Sequence, residues 1–181
     1  CLPEQVHLMG FSLGGYLAAT YACRYPQRVC RLTVISNTPC ALNESELATR
    51  RSTLNWLSNY RYSGITRAKA SSMLDSKTRT EEQIQRIIKM DAELGADTLI
   101  QQLKATTNRV DLTSKLGELA LPIQFIVSRD DPLLNKQWLT SPALQRKHIK
   151  IKTIDGCGHM LPMEQPEIIA HYLKGVTDVE F

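Results

Sequence analysis

Residues 7–16 read HLMGFSLGGY: apolar side chains run into Gly10, one serine follows at Ser12, and Gly14 and Gly15 come directly after it. Few backbone arrangements want three glycines around a single serine. Upstream, QVHLMG (5–10) reads as a short buried strand. Downstream, residues 14–25 read as a helix with Leu17, Ala18, Tyr21 and Ala22 on one face and Pro26 just beyond its end. Ser12 therefore occupies a strand-to-helix turn of the form G-x-S-x-G. Glycines at Gly10 and Gly14 would relieve the crowding of a strained backbone, leaving Ser12 to project beside the positive end of the helix. A glycine-rich turn with no chemistry also fits this stretch, so the rest of the chain has to decide.

Three more strands are legible. RLTVIS (31–36) is β-branched and is closed by Asn37 and Pro39; IQFIVS (123–128) is opened by Pro122; HIKIKTI (148–154) alternates. A last helix follows Pro166 with Ile168, Ile169 and Tyr172 facing inward. Between the second and third strands lies a long helical, charged insertion, with helices expected over 45–60, 66–74 and 81–105, the last broken near Gly95. Ile84, Ile87 and Ile88 recur at helical spacing and read as the insertion's own core. Strands alternating with helices predict an α/β fold with a mostly parallel sheet. The expected division is a core of 1–39 and 120–181 carrying an inserted helical cap of 40–119.

The chain of 181 residues, 43% hydrophobic, can bury one sizeable core. Its net charge of +4, from 22 basic against 18 acidic residues, is small and dispersed, which argues against a nucleic-acid partner. No apolar run reaches the roughly 18 residues of a membrane span, so no membrane partner is expected. The five cysteines form no C-x-x-C pair and have no histidine at zinc spacing. No metal site is expected, and reduced thiols fit a cytoplasmic protein, with no signal peptide legible.

The chemistry comes in chain order. After the third strand, SRDDPLLN places Asp130 and Asp131 where a carboxylate can orient a base; after the fourth, DGCGHMLPMEQP places His159 in a glycine-loosened loop. Serine, aspartate, histidine, each just past the carboxyl end of a strand, is an order with a mechanical reason. In open parallel sheets those ends share one face. Other candidates fit less well. Cys157 as nucleophile would sit on the histidine's own loop while the turn position is filled by serine, and Asp155 closes a strand and reads as a loop cap. Glu164 and Pro166 read as the start of the last helix, and Trp56, Trp138 and the insertion's methionines as core.

GFSLGG, IVSRDDPLLN and GCGHMLPMEQPEII together resemble the α/β-hydrolase superfamily, in its branch of esterases, enol-lactonases and carbon–carbon bond hydrolases. The resemblance covers nearly the whole chain and includes the insertion segment QQLKATTNRVDLTSKLGELALPI. It implies the C-terminal part of that fold, with an inserted cap. The family pattern G-x-x-D-P-L aligns Asp131 with the acid and sets Ser128 where glycine is usual; G-x-G-H makes His159 the base, leaving His7, His148 and His171 structural.

The resemblance implies a serine hydrolase acting on a small carboxylic ester, lactone or related carbonyl compound. Ser12 would attack, His159 would take its proton, and Asp131 would hold the imidazole. The backbone N–H of Leu13 would give one oxyanion-hole donor. No cofactor or metal is called for. A lyase or perhydrolase on the same residues, or a truncated and catalytically impaired remnant acting by association only, are the alternatives. The family's further strands before the turn, with its second oxyanion donor, have no counterpart in residues 1–181. The edge at 5–9 is thus expected to invite a second copy of the chain or a separate N-terminal polypeptide.

Overall fold

The computed structural model describes residues 4–174. Cys1 lies outside the described residues. Eleven strands and helices longer than a single 3-10 turn follow one another in it. They are β1 Val6–Phe11, α1 Leu13–Arg24, β2 Val29–Ile35, α2 Glu44–Asn59, α3 Arg67–Ser72, α4 Glu81–Thr107, α5 Thr113–Glu118, β3 Ile123–Ser128, β4 Ile149–Ile154, α6 Leu161–Glu164 and α7 Pro166–Lys174. The strands form one parallel sheet in the order β1-β2-β3-β4. No strand of residues 40–119 joins it.

Register decides which side chains share a face. Phe11 lies opposite Ile35, Ile35 opposite Ile126, and Ser128 opposite Ile154. Ile35, Ile126 and Ile154 make a core with Cys157, Leu161 and Ile169, against which Phe11, Ile168 and Tyr172 also pack, so α6 and α7 cover this face. Period-2 alternation turns Gly10, Val34 and Phe125 the other way. There α1 lies close over β1 and β2, and Phe125 meets Trp138 edge-on at 5.2 Å between ring centroids. All six residues of β3 are buried, as befits an inner strand covered on both faces.

The chain divides into two compact units, one of residues 1–39, 72–79 and 112–181 and one of 40–71 and 80–111. Residues 72–79 and 112–119, placed with the insertion in the sequence reading, thus group with the sheet. The reason is backbone pairing: Leu112 N–H donates to the Pro39 carbonyl at 3.0 Å, and His159 N–H to the Met73 carbonyl at 2.8 Å. In the second unit, α2 and α4 each start on a reciprocal cap, Asn43 with Glu46 and Thr80 with Gln83. The break expected near Gly95 is there: this residue has φ 73 and ψ 176 inside α4. The Tyr62 hydroxyl donates to both carboxylate oxygens of Asp91, at 2.7 and 2.8 Å, which with burial raises the Tyr62 pKa.

Candidate active site

Ser12 sits between β1 and α1 at φ 50, ψ −121, a conformation that costs a serine on the order of 1–3 kcal/mol. Its backbone is held on both sides. Ser12 N–H donates to the Ile35 carbonyl at 2.9 Å, and its carbonyl accepts from Gly15 N–H at 2.9 Å. Its side chain makes no capping bond to the helix, although serine is a favoured N-cap. The hydroxyl is directed elsewhere. The turn is tight because a Cβ on Gly10 would lie 2.1 Å from the Gly14 carbonyl oxygen.

The two glycines after Ser12 differ. At Gly14 an added Cβ would meet nothing within 4 Å, whereas at Gly15 it would lie 3.0 Å from Val34 Cγ1 and 3.1 Å from Asn37 Cβ. The close approach credited to Gly14 in the sequence reading therefore falls to its neighbour. The helix begins so near the sheet that the residue facing β2, not the one two after serine, has little room for a side chain.

Ser12 Oγ lies 2.9 Å from His159 Nε2, and His159 Nδ1 lies 2.8 Å from Asp131 Oδ2. An ionised carboxylate can only accept, so Nδ1–H donates to Asp131 and Nε2 is left to accept the Ser12 proton. His159 and Asp131 are buried, and Asp131 Oδ1 also accepts from Leu133 N–H at 2.8 Å. Asp130 is exposed and does not face the ring. The loop after Asp131 is tied back by Asn135 N–H donating to Thr38 Oγ1 at 3.2 Å. The Phe11 ring stands 5.5 Å from the imidazole, centroid to centroid. The structure thus brings Ser12, His159 and Asp131 together in one hydrogen-bonded row past the carboxyl ends of β1, β4 and β3.

The remaining candidates lie elsewhere. Asp155 is exposed and pairs with Arg129. Cys157 is fully buried, and burial pushes its thiol up, away from the reactive thiolate. His7 bonds Thr33 Oγ1 at 3.0 Å on the sheet. Trp138 is core, while Trp56 is partly exposed and stacked on Tyr60. Among the described residues no cluster of histidine, cysteine, aspartate and glutamate could hold a metal ion, and no helix is long and apolar enough to cross a membrane.

Two residues of the site escaped the sequence. Ser128, noted only as standing in place of a glycine, donates its hydroxyl to the Cys157 carbonyl and accepts from Asp130 N–H at 3.2 Å. It fastens the loop of Asp131 to the loop of His159. Glu164, read as the start of a helix, turns its carboxylate back onto the Gly158 N–H.

Residues 2–166 match the family model described as alpha/beta hydrolase fold. Protein NDL3 of Arabidopsis thaliana is 27% identical over 174 residues, covering 90% of this chain and 49% of that protein. Monoacylglycerol lipase ABHD6 of Bos taurus is 25% identical over 186 residues, covering 94% and 54%. A thermophilic esterase from Thermogutta terrifontis superposes with a TM-score of 0.84 at 20% identity, over 96% of this chain and 65% of that one. The chain spans about half the length of these two curated relatives. With a family match over most of its length and a four-stranded parallel sheet flanked by helices, the chain belongs to the alpha/beta hydrolase fold family.

Proposed function

We propose that this chain carries the reacting residues of a serine hydrolase for carboxylic esters, lactones or related carbonyl compounds. The observation that carries the reading is the unbroken row Ser12 Oγ–His159 Nε2 at 2.9 Å and His159 Nδ1–Asp131 Oδ2 at 2.8 Å. Ser12 Oγ attacks the carbonyl carbon as its proton passes to Nε2, and Asp131 stabilises the imidazolium that forms. The proton then goes to the leaving alkoxide as the acyl–oxygen bond breaks, and an acyl-Ser12 ester remains. Water gives a proton to Nε2 and its oxygen to the acyl carbon, releasing the acid and restoring the Ser12 hydroxyl.

Leu13 N–H belongs to the first turn of α1, whose donors have no acceptor within the helix, so it is suited to the oxyanion. The helix end adds a favourable partial charge there. Monoacylglycerol lipase ABHD6 is named for action on an ester, which supports the same bond here. The four described cysteines are all free thiols, which fits a cytoplasmic setting.

Hydrolysis of p-nitrophenyl esters of graded acyl length by the purified chain tests this. Turnover that falls by several orders of magnitude in Ser12→Ala, with the melting temperature unchanged, is the expected result. Hydrolysis that survives Ser12→Ala would refute it.

A further inference from the structure

The backbone on either side of His159 is gripped by a segment far from it in sequence. Met73 offers its carbonyl to two successive N–H groups, His159 at 2.8 Å and Met160 at 3.2 Å. Gly158, just before the histidine, lies so close to this segment that an added Cβ would stand 2.6 Å from the Met73 carbonyl oxygen and 2.8 Å from Leu74 Cα. Glu164 closes the arrangement. Its Oε1 accepts from Asp75 N–H at 2.7 Å and Gly158 N–H at 3.0 Å, and its Oε2 accepts from Gly158 N–H at 2.9 Å. One carboxylate thereby joins residue 75 to the residue preceding His159. Such bonds to an ionised acceptor are roughly twice as strong as neutral ones.

The imidazole has little latitude. Both ring nitrogens must keep their partners at 2.8 and 2.9 Å, while the loop that carries the ring has Gly156 at φ 68 and Gly158 with no side chain to pack. Two glycines in three residues leave such a loop free to shift unless something outside it holds the backbone. Met73 holds the histidine's own N–H, and Glu164 holds the N–H one residue earlier.

We propose that Glu164 is a positioning residue for His159, fixing the Gly158–His159 backbone against residues 73–75 so that Nε2 is presented to Ser12. This rests on the reading of Ser12, His159 and Asp131 as the reacting centre. Glu164 itself touches no reacting atom; it acts through the loop. A glutamine keeps an oxygen able to accept from Asp75 and Gly158 but sets an N–H donor where Oε2 now faces Gly158 N–H. An alanine keeps neither acceptor.

The test compares wild type, Glu164→Gln and Glu164→Ala in the rate of Ser12 labelling by a fluorophosphonate, measured across pH below each variant's melting temperature. The His159 Nδ1–H proton resonance is followed in parallel by NMR. Glu164→Ala is expected to label slower by about tenfold to 10²-fold, the range for a small misplacement of a reacting group. Glu164→Gln should fall between it and wild type, and the downfield Nδ1–H signal should weaken in the same order. A purely structural role would lower the melting temperature yet leave the labelling rate, its pH profile and the Nδ1–H signal of the folded protein as in wild type. That result overturns the proposal. Should Glu164→Ala not fold, Glu164→Gln alone decides by the same criteria. Should wild type itself fail to label, the reading as a hydrolase fails, and the Nδ1–H signal alone then decides the positioning role: its loss supports it and its persistence refutes it.

Discussion

Alanine substitutions at Gly10, Gly14 and Gly15 should have three different outcomes, although the three glycines sit within six residues of one another. At Gly10 the new Cβ would meet backbone: the Gly14 carbonyl oxygen at 2.1 Å, its carbon at 2.4 Å and Gly15 N at 2.6 Å. To reach an ordinary 3.4 Å contact, the first turn of α1 would have to retreat by about 1.3 Å from β1. Backbone cannot step aside as a side chain can, so the cost belongs at or above the top of the overpacking range, about 3 kcal/mol or more. At Gly15 the neighbours are Val34 Cγ1 at 3.0 Å and Asn37 Cβ at 3.1 Å, which need give only a few tenths of an ångström. Strain of about 1 kcal/mol there is largely offset by the better helix propensity of alanine. At Gly14 nothing stands within 4 Å, and alanine in the first turn should stabilise by up to about 1 kcal/mol. Urea unfolding followed by far-UV circular dichroism measures all three. A Gly14→Ala variant as damaged as Gly10→Ala, or a Gly10→Ala variant with the wild-type midpoint, would refute this account of the turn.

Two further outcomes are expected. Ser128→Ala leaves the Cys157 carbonyl and Asp130 N–H without their side-chain partner, and should lower stability by about 1–3 kcal/mol in the same urea assay. Burial, aided by Arg31, lowers the His7 pKa from 6.5, so the folded state binds fewer protons than the unfolded chain there. The contribution of neutral His7 is then present above pH 6.5 and lost as pH falls through the lowered folded value; a His7→Asn variant should show a flatter stability profile over that window, and an unchanged slope would count against it.

Local signals carried the sheet. Pro122 followed by a run with the apolar residues Ile123, Phe125, Ile126 and Val127 placed β3 at 123–128, as observed, and all six of its residues are buried. At β2 the reading began two residues late: Val29 follows a short 3-10 turn over Pro26–Arg28 and already pairs with Val6. The helix break at Gly95 was legible because only the local backbone decides it. Asp131 was separated from Asp130 only by the family pattern G-x-x-D-P-L, since the two carboxylates themselves give no signal between them. What the sequence hid depends on partners distant in the chain. Glu164 bonds the N–H groups of Gly158 and Asp75, and Ser128 a carbonyl at Cys157, so neither leaves a local pattern. The same holds for residues 72–79, which read as part of an insertion until the Met73 carbonyl is seen to hold the loop of His159.

Covalent labelling tests, without assuming a substrate, whether Ser12 is a nucleophile activated by His159 as proposed. The purified chain, its Ser12→Ala variant and its His159→Ala variant are treated with a fluorophosphonate probe, and the adduct is located by peptide mass spectrometry. One adduct is expected on Ser12 of the wild type, none at residue 12 in Ser12→Ala, and labelling slowed by several orders of magnitude in His159→Ala. A wild-type chain that takes no label at Ser12, or a His159→Ala variant that labels as fast as wild type, would contradict it.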